Sequence, residues 1–385
     1  MKKYLSILIA AAMLVPVVSV PISASAAEIE TQSVTAQVES IDSSSSSSVE
    51  VDSKAMKELR NGLHNHESNI TVTAEIGSLE QDYMQSYSET MLKKALEHTG
   101  NPVEGDYVAY QMSKWTYKYS AVGRNGVYKM TINYSLTYLT TKAQEKELDK
   151  KVDTILDSLN LDGKTDYEKT CAIYGYVTSH VAYDSTAVGG NESSKLSYSA
   201  YGALCKGKAV CQGYSNALYR LLLTEGIDCR IISGKGLQKE HAWNIAKIDN
   251  RYYCMDSTWD SQRKTYEFFL CSENDFKDHT ASAEFKTKQF LSNYPISLNS
   301  LEVDNELVNV SSIGIVGDVD LDRKVTSADS LEILRISVGI EEIDENTRKL
   351  ADVNGDGIVD SSDALDILRF SVGLSSSNSV DNYYR

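Results

Sequence analysis

The chain has 385 residues, 42% hydrophobic and 24% charged, with 38 basic against 54 acidic side chains and a formal charge of −16. That length exceeds one small domain; at roughly 150 residues each it holds two or three. The negative balance excludes nucleic acid as partner, because phosphate binding needs a basic surface, and acid gathered near the C-terminus points instead to a cation.

In chain order, residues 1–27 read as an export signal. Lys2 and Lys3 precede an apolar run from Leu5 to Val20, and Ala24-Ser25-Ala26 is a small-residue cleavage site. Pro16 and Pro21 interrupt the run, and no charged stop-transfer cluster follows. No other stretch is long and apolar enough to span a bilayer, so the mature protein is expected to be secreted, with no membrane span. Residues 28–54, with the run Ser43–Ser48, read as a flexible linker.

Residues 55–160 read as a small α+β accessory domain. Met56–Leu63 looks helical, and Ile70–Ile76 alternates like a strand. Tyr107–Tyr119 and Val127–Leu139 are Tyr- and Thr-rich paired strands. Ala143–Leu159 has helical spacing at Leu148, Val152, Ile155, Leu156 and Leu159. No catalytic pattern appears in this stretch.

Residues 161–298 change character. Asp166–Val181 reads as a helix capped by Thr165. Cys211–Glu225 has the spacing of a buried helix stopped by Gly226. Strands follow at Cys229–Ser233, Ala242–Ile248 and Tyr252–Asp256, the last two joined by the hairpin signal Asp249-Asn250. The helix would pack on the antiparallel sheet.

Lys208-Ala-Val-Cys211-Gln-Gly-Tyr-Ser-Asn216 puts a cysteine at a helix start, where free amides and the helix dipole favour a thiolate. A thiolate nucleophile needs a base, and the base needs an acid that holds its tautomer. His241 in His241-Ala-Trp-Asn244 and Asp256 in Met255-Asp-Ser-Thr-Trp-Asp260 fall close to opposite each other across the hairpin. Singly, each residue reads as structural; the ordered set does not. Trp243 and Trp259 flank this pair, either as core packing or as a substrate-facing wall. All six cysteines, Cys171, Cys205, Cys211, Cys229, Cys254 and Cys271, lie in this region without a CxxC pattern. Buried unpaired thiols are the simpler reading; exported proteins also pair them.

These segments, together with Tyr201-Gly-Ala-Leu204, Gly226-Ile227 and Tyr253-Cys-Met-Asp256, resemble the transglutaminase-like superfamily of papain-like thiol enzymes over about 130 residues. The resemblance implies Cys211 as nucleophile, His241 as general base and acid, and Asp256 as orienter, with no cofactor for catalysis. The Cys211 amide would help form the oxyanion hole. Attack by water makes a peptidase or amidase acting on a protein or peptide; attack by a lysine amine makes a cross-linker. A non-catalytic component with a vestigial site is the third possibility.

A linker, 299–316, leads to an internal repeat over residues 317–374. Gly317-Asp-Val-Asp-Leu-Asp322 and the helix ending at Gly339 recur 34 residues later as Ala351-Asp-Val-Asn-Gly-Asp356 and the helix ending at Gly373. A twelve-residue calcium loop supplies oxygens at positions 1, 3, 5, 7, 9 and 12. In the second copy these are Asp352, Asn354, Asp356, the Ile358 carbonyl, Asp360 and Asp363, with Gly357 at the turn. In the first they are Asp318, Asp320, Asp322, the Lys324 carbonyl, Thr326 and Asp329, with Arg323 in the glycine position. Two Ca2+ ions are expected. The last ligand is Asp, and no helix precedes each loop, so the segment resembles a type I dockerin, an all-α module of two Ca-loop–helix repeats. That resemblance implies docking to the cohesin domain of a scaffold protein in a cellulosome-type complex through Ser327 and Ala328 in one helix and Ser361 and Ser362 in the other. Residues 375–385 form a polar tail.

Overall fold

The computed structural model describes residues 31–34, 49–124, 127–187, 192–304, 307–308, 316–320, 324–341, 343, 345–372 and 374. The export segment 1–27, the Ser43–Ser48 run and the tail 375–385 lie outside the described residues. The fold is mixed α+β.

The N-terminal half runs β1 (Thr31–Val34), α1 (Ser53–His64), β2 (Asn69–Ile76), α2 (Gln81–Ala95), α3 (Asp106–Gln111), β3 (Met112–Arg124), β4 (Val127–Tyr138) and α4 (Lys142–Ser158). Four strands form an antiparallel sheet in the order β1-β3-β4-β2. Alternating burial along β2 and β4 puts Ile70, Val72, Ile132 and Tyr134 on the inner face, the period of two that sends successive side chains to opposite faces. Two expectations are corrected here. Thr31–Val34, inside the segment read as linker, pairs with Tyr117–Ser120 as an edge strand. Tyr107–Gln111, read as strand, is helical; Gly105 turns the chain at φ +59° and the Asp106 carboxylate at the helix start is held by Arg230.

The second half runs α5 (Asp166–His180), β5 (Ala182–Tyr183), α6 (Ala200–Lys206), β6 (Lys208–Ala209), α7 (Cys211–Thr224), β7 (Cys229–Gly236), β8 (Lys239–Ile248), β9 (Arg251–Met255), α8 (Ser257–Arg263), β10 (His279–Ala281) and α9 (Lys288–Asn293). Thr165 caps α5 in a capping box with Glu168, which satisfies two amides that the helix start leaves unpaired. Every residue of α7 from Gly213 to Leu223 is buried, so this helix has no polar stripe and is enclosed on all sides. Its start presses on backbone: a Cβ at Gly213 would stand 2.5 Å from the Ser197 carbonyl oxygen. The sheet order is β10-β7-β8-β9, antiparallel throughout. Both hairpins turn through two residues of positive φ, Leu237-Gln238 at +48° and +65° and Asp249-Asn250 at +48° and +66°, the handedness that matches strand twist.

One buried cluster runs from Val51 through the first sheet and α7 to Leu270, so packing does not stop at residue 160. Polar bonds reinforce this seam. Arg230 makes a two-toothed pair with Asp106 at 2.7 and 2.9 Å, and His98 bridges Asp228 at 2.7 Å and Tyr219 at 3.1 Å. The C-terminal segment has its own core of Val319, Val325, Ile333, Ala351, Val353, Ala364 and Ile367, built around α10 (Ser327–Ser337), α11 (Glu345–Ala351) and α12 (Ser361–Ser371). Among the described residues, no helix is long and apolar enough to cross a membrane.

The Arg230–Asp106 pair is nearly enclosed, at 11% and 10% side-chain exposure. Removing one partner of such a pair strands a buried charge, so Asp106→Ala should destabilise the protein by about 3 kcal/mol. Asp106→Ala with Arg230→Met together should cost less than the single change. Urea unfolding monitored by tyrosine and tryptophan fluorescence reads both.

Candidate active site and paired acidic loops

Cys211 is the first residue of α7 and is half-buried. Val210, before it, provides no side-chain cap, so the amides of the first turn are left to face the sulfur's surroundings. His241 and Asp256 arrive from the sheet. His241 lies on β8 opposite Gly234 of β7. The β8–β9 ladder ends at Asn244–Met255, so His241 stands beyond the paired part, and Asp256 is not the last strand residue expected but the N-cap of α8. The carboxylate closes the gap: His241 Nε2 is 2.8 Å from Asp256 Oδ2. The same imidazole lies close enough to the Cys211 side chain for the sulfur to raise its pKa. The three residues expected to form the site therefore meet around one ring.

Electrostatics follow from this packing. Burial alone would push the His241 imidazole down, but the Asp256 carboxylate and the Cys211 sulfur overcome it and lift the group to about 10. Burial would raise Asp256; hydrogen bonds from His241 and His279 outweigh it and hold the carboxyl at about 2. Asp256 Oδ1 takes two further bonds from the Thr258 and Trp259 amides at the α8 start, so the buried carboxylate is satisfied at both oxygens.

Residues without a catalytic role in the sequence reading set this geometry. Asn244 Nδ2 donates to the Ser215 carbonyl of α7 at 3.0 Å and to Arg230 at 3.3 Å, tying the histidine strand to the cysteine helix. Gly236 leaves room for the imidazole: a Cβ there would stand 2.9 Å from His241 Cδ2 and from Trp259 Cζ2. Trp259 is half-buried and stacks on His241 at 5.3 Å, whereas Trp243 is buried in the core of the sheet. His279, absent from the sequence reading, also reaches Asp256. Its strand is three residues long and held by pairing to β7, which no local pattern announces. The six cysteines are all unpaired, and four of them, Cys171, Cys229, Cys254 and Cys271, are buried.

The acidic loops are alike in the two copies. Asp329 Oδ1 accepts from the Val319 and Asp320 amides and Oδ2 from Thr326; Asp363 Oδ1 accepts from Val353 and Asn354 and Oδ2 from Asp360. The twelfth-position carboxylate thus draws each loop onto its helix. One oxygen each from Asp318, Asp320 and Asp329 lie within 4.8 Å of one another, a donor set suited to a hard cation. Asp352 takes amides from Gly355, Asp356 and Gly357, and Asp356 takes that of Ile358; Gly357, at φ +85°, occupies the expected turn. Asp322 and Arg323 lie outside the described residues, and Lys324 follows them as an exposed residue. Ser327, Ala328, Ser361 and Ser362 are exposed at the starts of α10 and α12. They are not equivalent: Ser362 Oγ donates to Asp360 and accepts from Asn354, for which Ala328 has no counterpart.

Comparison with known proteins gives the class. The transglutaminase-like superfamily model matches residues 153–257, which include Cys211, His241 and Asp256, and the dockerin type I domain model matches residues 316–369. The chain therefore carries a transglutaminase-like domain followed by a C-terminal type I dockerin domain. Type I dockerin domains bind calcium. Kyphoscoliosis peptidase of Homo sapiens is 28% identical over 146 residues, 34% of this chain and 22% of that protein; the protein of that name from Mus musculus is 26% identical over 159 residues, 37% and 24%. The chain spans about a quarter of the length of these curated relatives. Among solved structures, the chain is similar to one described as a TGase, with 18% identity, a TM-score of 0.29, and coverage of 36% of this chain and 43% of that one.

The paired values of His241 and Asp256 set a pH signature. A depressed Asp256 stabilises the fold above about pH 4, and this is lost as pH falls toward the folded value of about 2. A raised His241 stabilises below about pH 6.5, and this is lost as pH rises through about 10. Wild type should therefore lose stability relative to His241→Gln between those last two values. Urea midpoints at a series of pH check it; a constant difference contradicts the pairing.

Proposed function

We propose that this protein is a secreted thiol hydrolase, a peptidase or amidase, held through its dockerin on a cohesin-bearing scaffold of a cellulosome-type complex. The observation that carries the enzyme reading is the single imidazole of His241, 2.8 Å from buried Asp256 and close enough to Cys211 for the sulfur to raise its pKa. In this reading the Cys211 thiolate attacks an amide carbonyl, and the sulfur–carbon bond forms as the carbonyl oxygen takes up charge. The Cys211 amide at the α7 start stabilises that charge. His241 gives its proton to the departing amine and then takes one from the water that cleaves the thioester; Asp256 holds the ring oriented and balances its charge throughout. The peptidase name of the curated relatives supports hydrolysis. Convergence of all three groups disfavours a vestigial site.

Two ions of Ca2+ are assigned to the acidic loops, on Asp318, Asp320, Asp322, the Lys324 carbonyl and Asp329 in one copy, and on Asp352, Asn354, Asp356, the Ile358 carbonyl, Asp360 and Asp363 in the other. Bound calcium supplies the positive charge that lets these carboxylates sit together. Exposed Leu331, Leu334, Val338 and Ile340 recur at the same spacing as Leu365, Leu368, Val372 and Leu374. Paired apolar stripes beside Ser327, Ala328, Ser361 and Ser362 support docking to cohesin on this side of the helices.

A peptide-library digest of wild type beside Cys211→Ala tests the enzyme. Cleavage should fall by at least about 10^4-fold in the variant. Amine incorporation into a glutamine acceptor, without cleavage, would instead make it a cross-linker. Removing calcium with EGTA should abolish capture by immobilised cohesin while leaving cleavage intact; capture that survives EGTA contradicts the assignment of the loops.

A further inference from the structure

Two imidazoles share one oxygen of Asp256. His241 Nε2 lies 2.8 Å from Oδ2, and His279 Nε2 lies 3.1 Å from the same atom. The other nitrogen of His279, Nδ1, is 2.9 Å from the Lys277 carbonyl. A carbonyl and an ionised carboxylate only accept, so each nitrogen of His279 faces an acceptor. Its side chain is 1% exposed. Phe276 stacks on it at 3.9 Å, with Trp259 at 4.3 Å and Trp243 at 5.1 Å. A ring that merely fills an aromatic box has no need to aim both nitrogens at acceptors.

We propose that His279 is a positioning residue of the thiol site, which fixes Asp256 Oδ2 in line with His241 and completes a buried chain of alternating charge. The proposal rests on Cys211 acting as the nucleophile. Sulfur, imidazolium, carboxylate and imidazolium then sum to zero. Without His279 the chain would hold a net negative charge among aromatic rings, where an unbalanced charge is costly.

The fold explains how a residue so far along the chain arrives. Asp278 turns at φ +66°, and β10 then pairs along β7 with His279 opposite Gly236, the residue whose missing Cβ leaves room for His241. His279 lies beyond the segment 153–257 that matches the family. The groups that face this cluster include the Tyr183 hydroxyl, which lies close enough to feel the Cys211 and Asp256 charges. His241 comes from β8 and Asp256 from the β9–α8 junction, with Cys211 behind His241. From α8, Asp260 is bonded to Tyr174 at 2.6 Å, and the Arg263 guanidinium lies over the Trp259 and Phe268 rings at 4.9 and 4.8 Å.

Iodoacetamide alkylation of Cys211, followed by peptide mass spectrometry on the full chain, tests this without knowledge of the substrate. Three proteins are compared from about pH 5 to about pH 10: wild type, His279→Phe, which fills the box but donates nothing, and His279→Gln, which donates without charge. In the Phe variant the acid limb of the rate profile should move up by about one pH unit, a tenfold loss at a fixed acid pH. The Gln variant should recover part of the rate. A Phe variant with the wild-type profile overturns the proposal, as does a Gln variant no better than Phe. Thermal melts establish that each is folded, and a Phe variant that does not fold leaves the limb of the Gln variant against wild type to decide. Wild-type labelling that quickens with a zinc chelator in excess calcium also overturns it, because the cluster would then be a metal site. Wild-type labelling no faster than that of His241→Ala would instead sink the thiol-enzyme reading itself.

Discussion

A single carboxylate, buried without exposure and accepting four hydrogen bonds, is the constraint around which the site is organised. Asp256 takes two amides on one oxygen and two imidazoles on the other. A carboxylate so enclosed is tolerable only when every lone pair has a donor. The four donors come from three parts of the fold: the start of α8, strand β8 and strand β10. The carboxylate is therefore both a product of tertiary assembly and the reason that the assembly has to be accurate.

The rest of the domain serves that accuracy. Helix α7 is enclosed from Gly213 to Leu223, which fixes the height and rotation of Cys211 at its tip. Asn244 locks the histidine strand to the α7 backbone, and Gly236 lets the imidazole and Trp259 come close. The N-terminal half joins the same core and is bonded to it through Asp106 and His98, which hold Arg230 and Asp228. Its contribution is to close the back of α7, where Arg220, at the ninth position after Cys211, is bonded to Asp149 of α4.

The C-terminal module follows a different logic. Its core is small, and its carboxylates do the work of loop closure, with Asp329 and Asp363 each bonding three amides in matching positions. Clustered acid that holds a loop is stable only where the charge is answered, so such a module couples its fold to a cation. The thiol cluster and the acidic loops thus draw on separate atoms.

Local pattern determined much of this protein on its own. The caps, the helices at Asp166 and Cys211, the hairpin at Asp249-Asn250 and the acidic repeat are short-range features, legible because hydrogen-bond period and turn chemistry act over a few residues. Cys211, His241 and Asp256 were legible because each sits in a distinctive local run. The helical turn at Tyr107–Gln111, the edge strand at Thr31–Val34 and the arrival of His279 were decided only in three dimensions. Those three depend on partners far away in the chain, Arg230, β3 and Asp256, and no local spacing encodes a bond to a residue that only the folded sheet brings near.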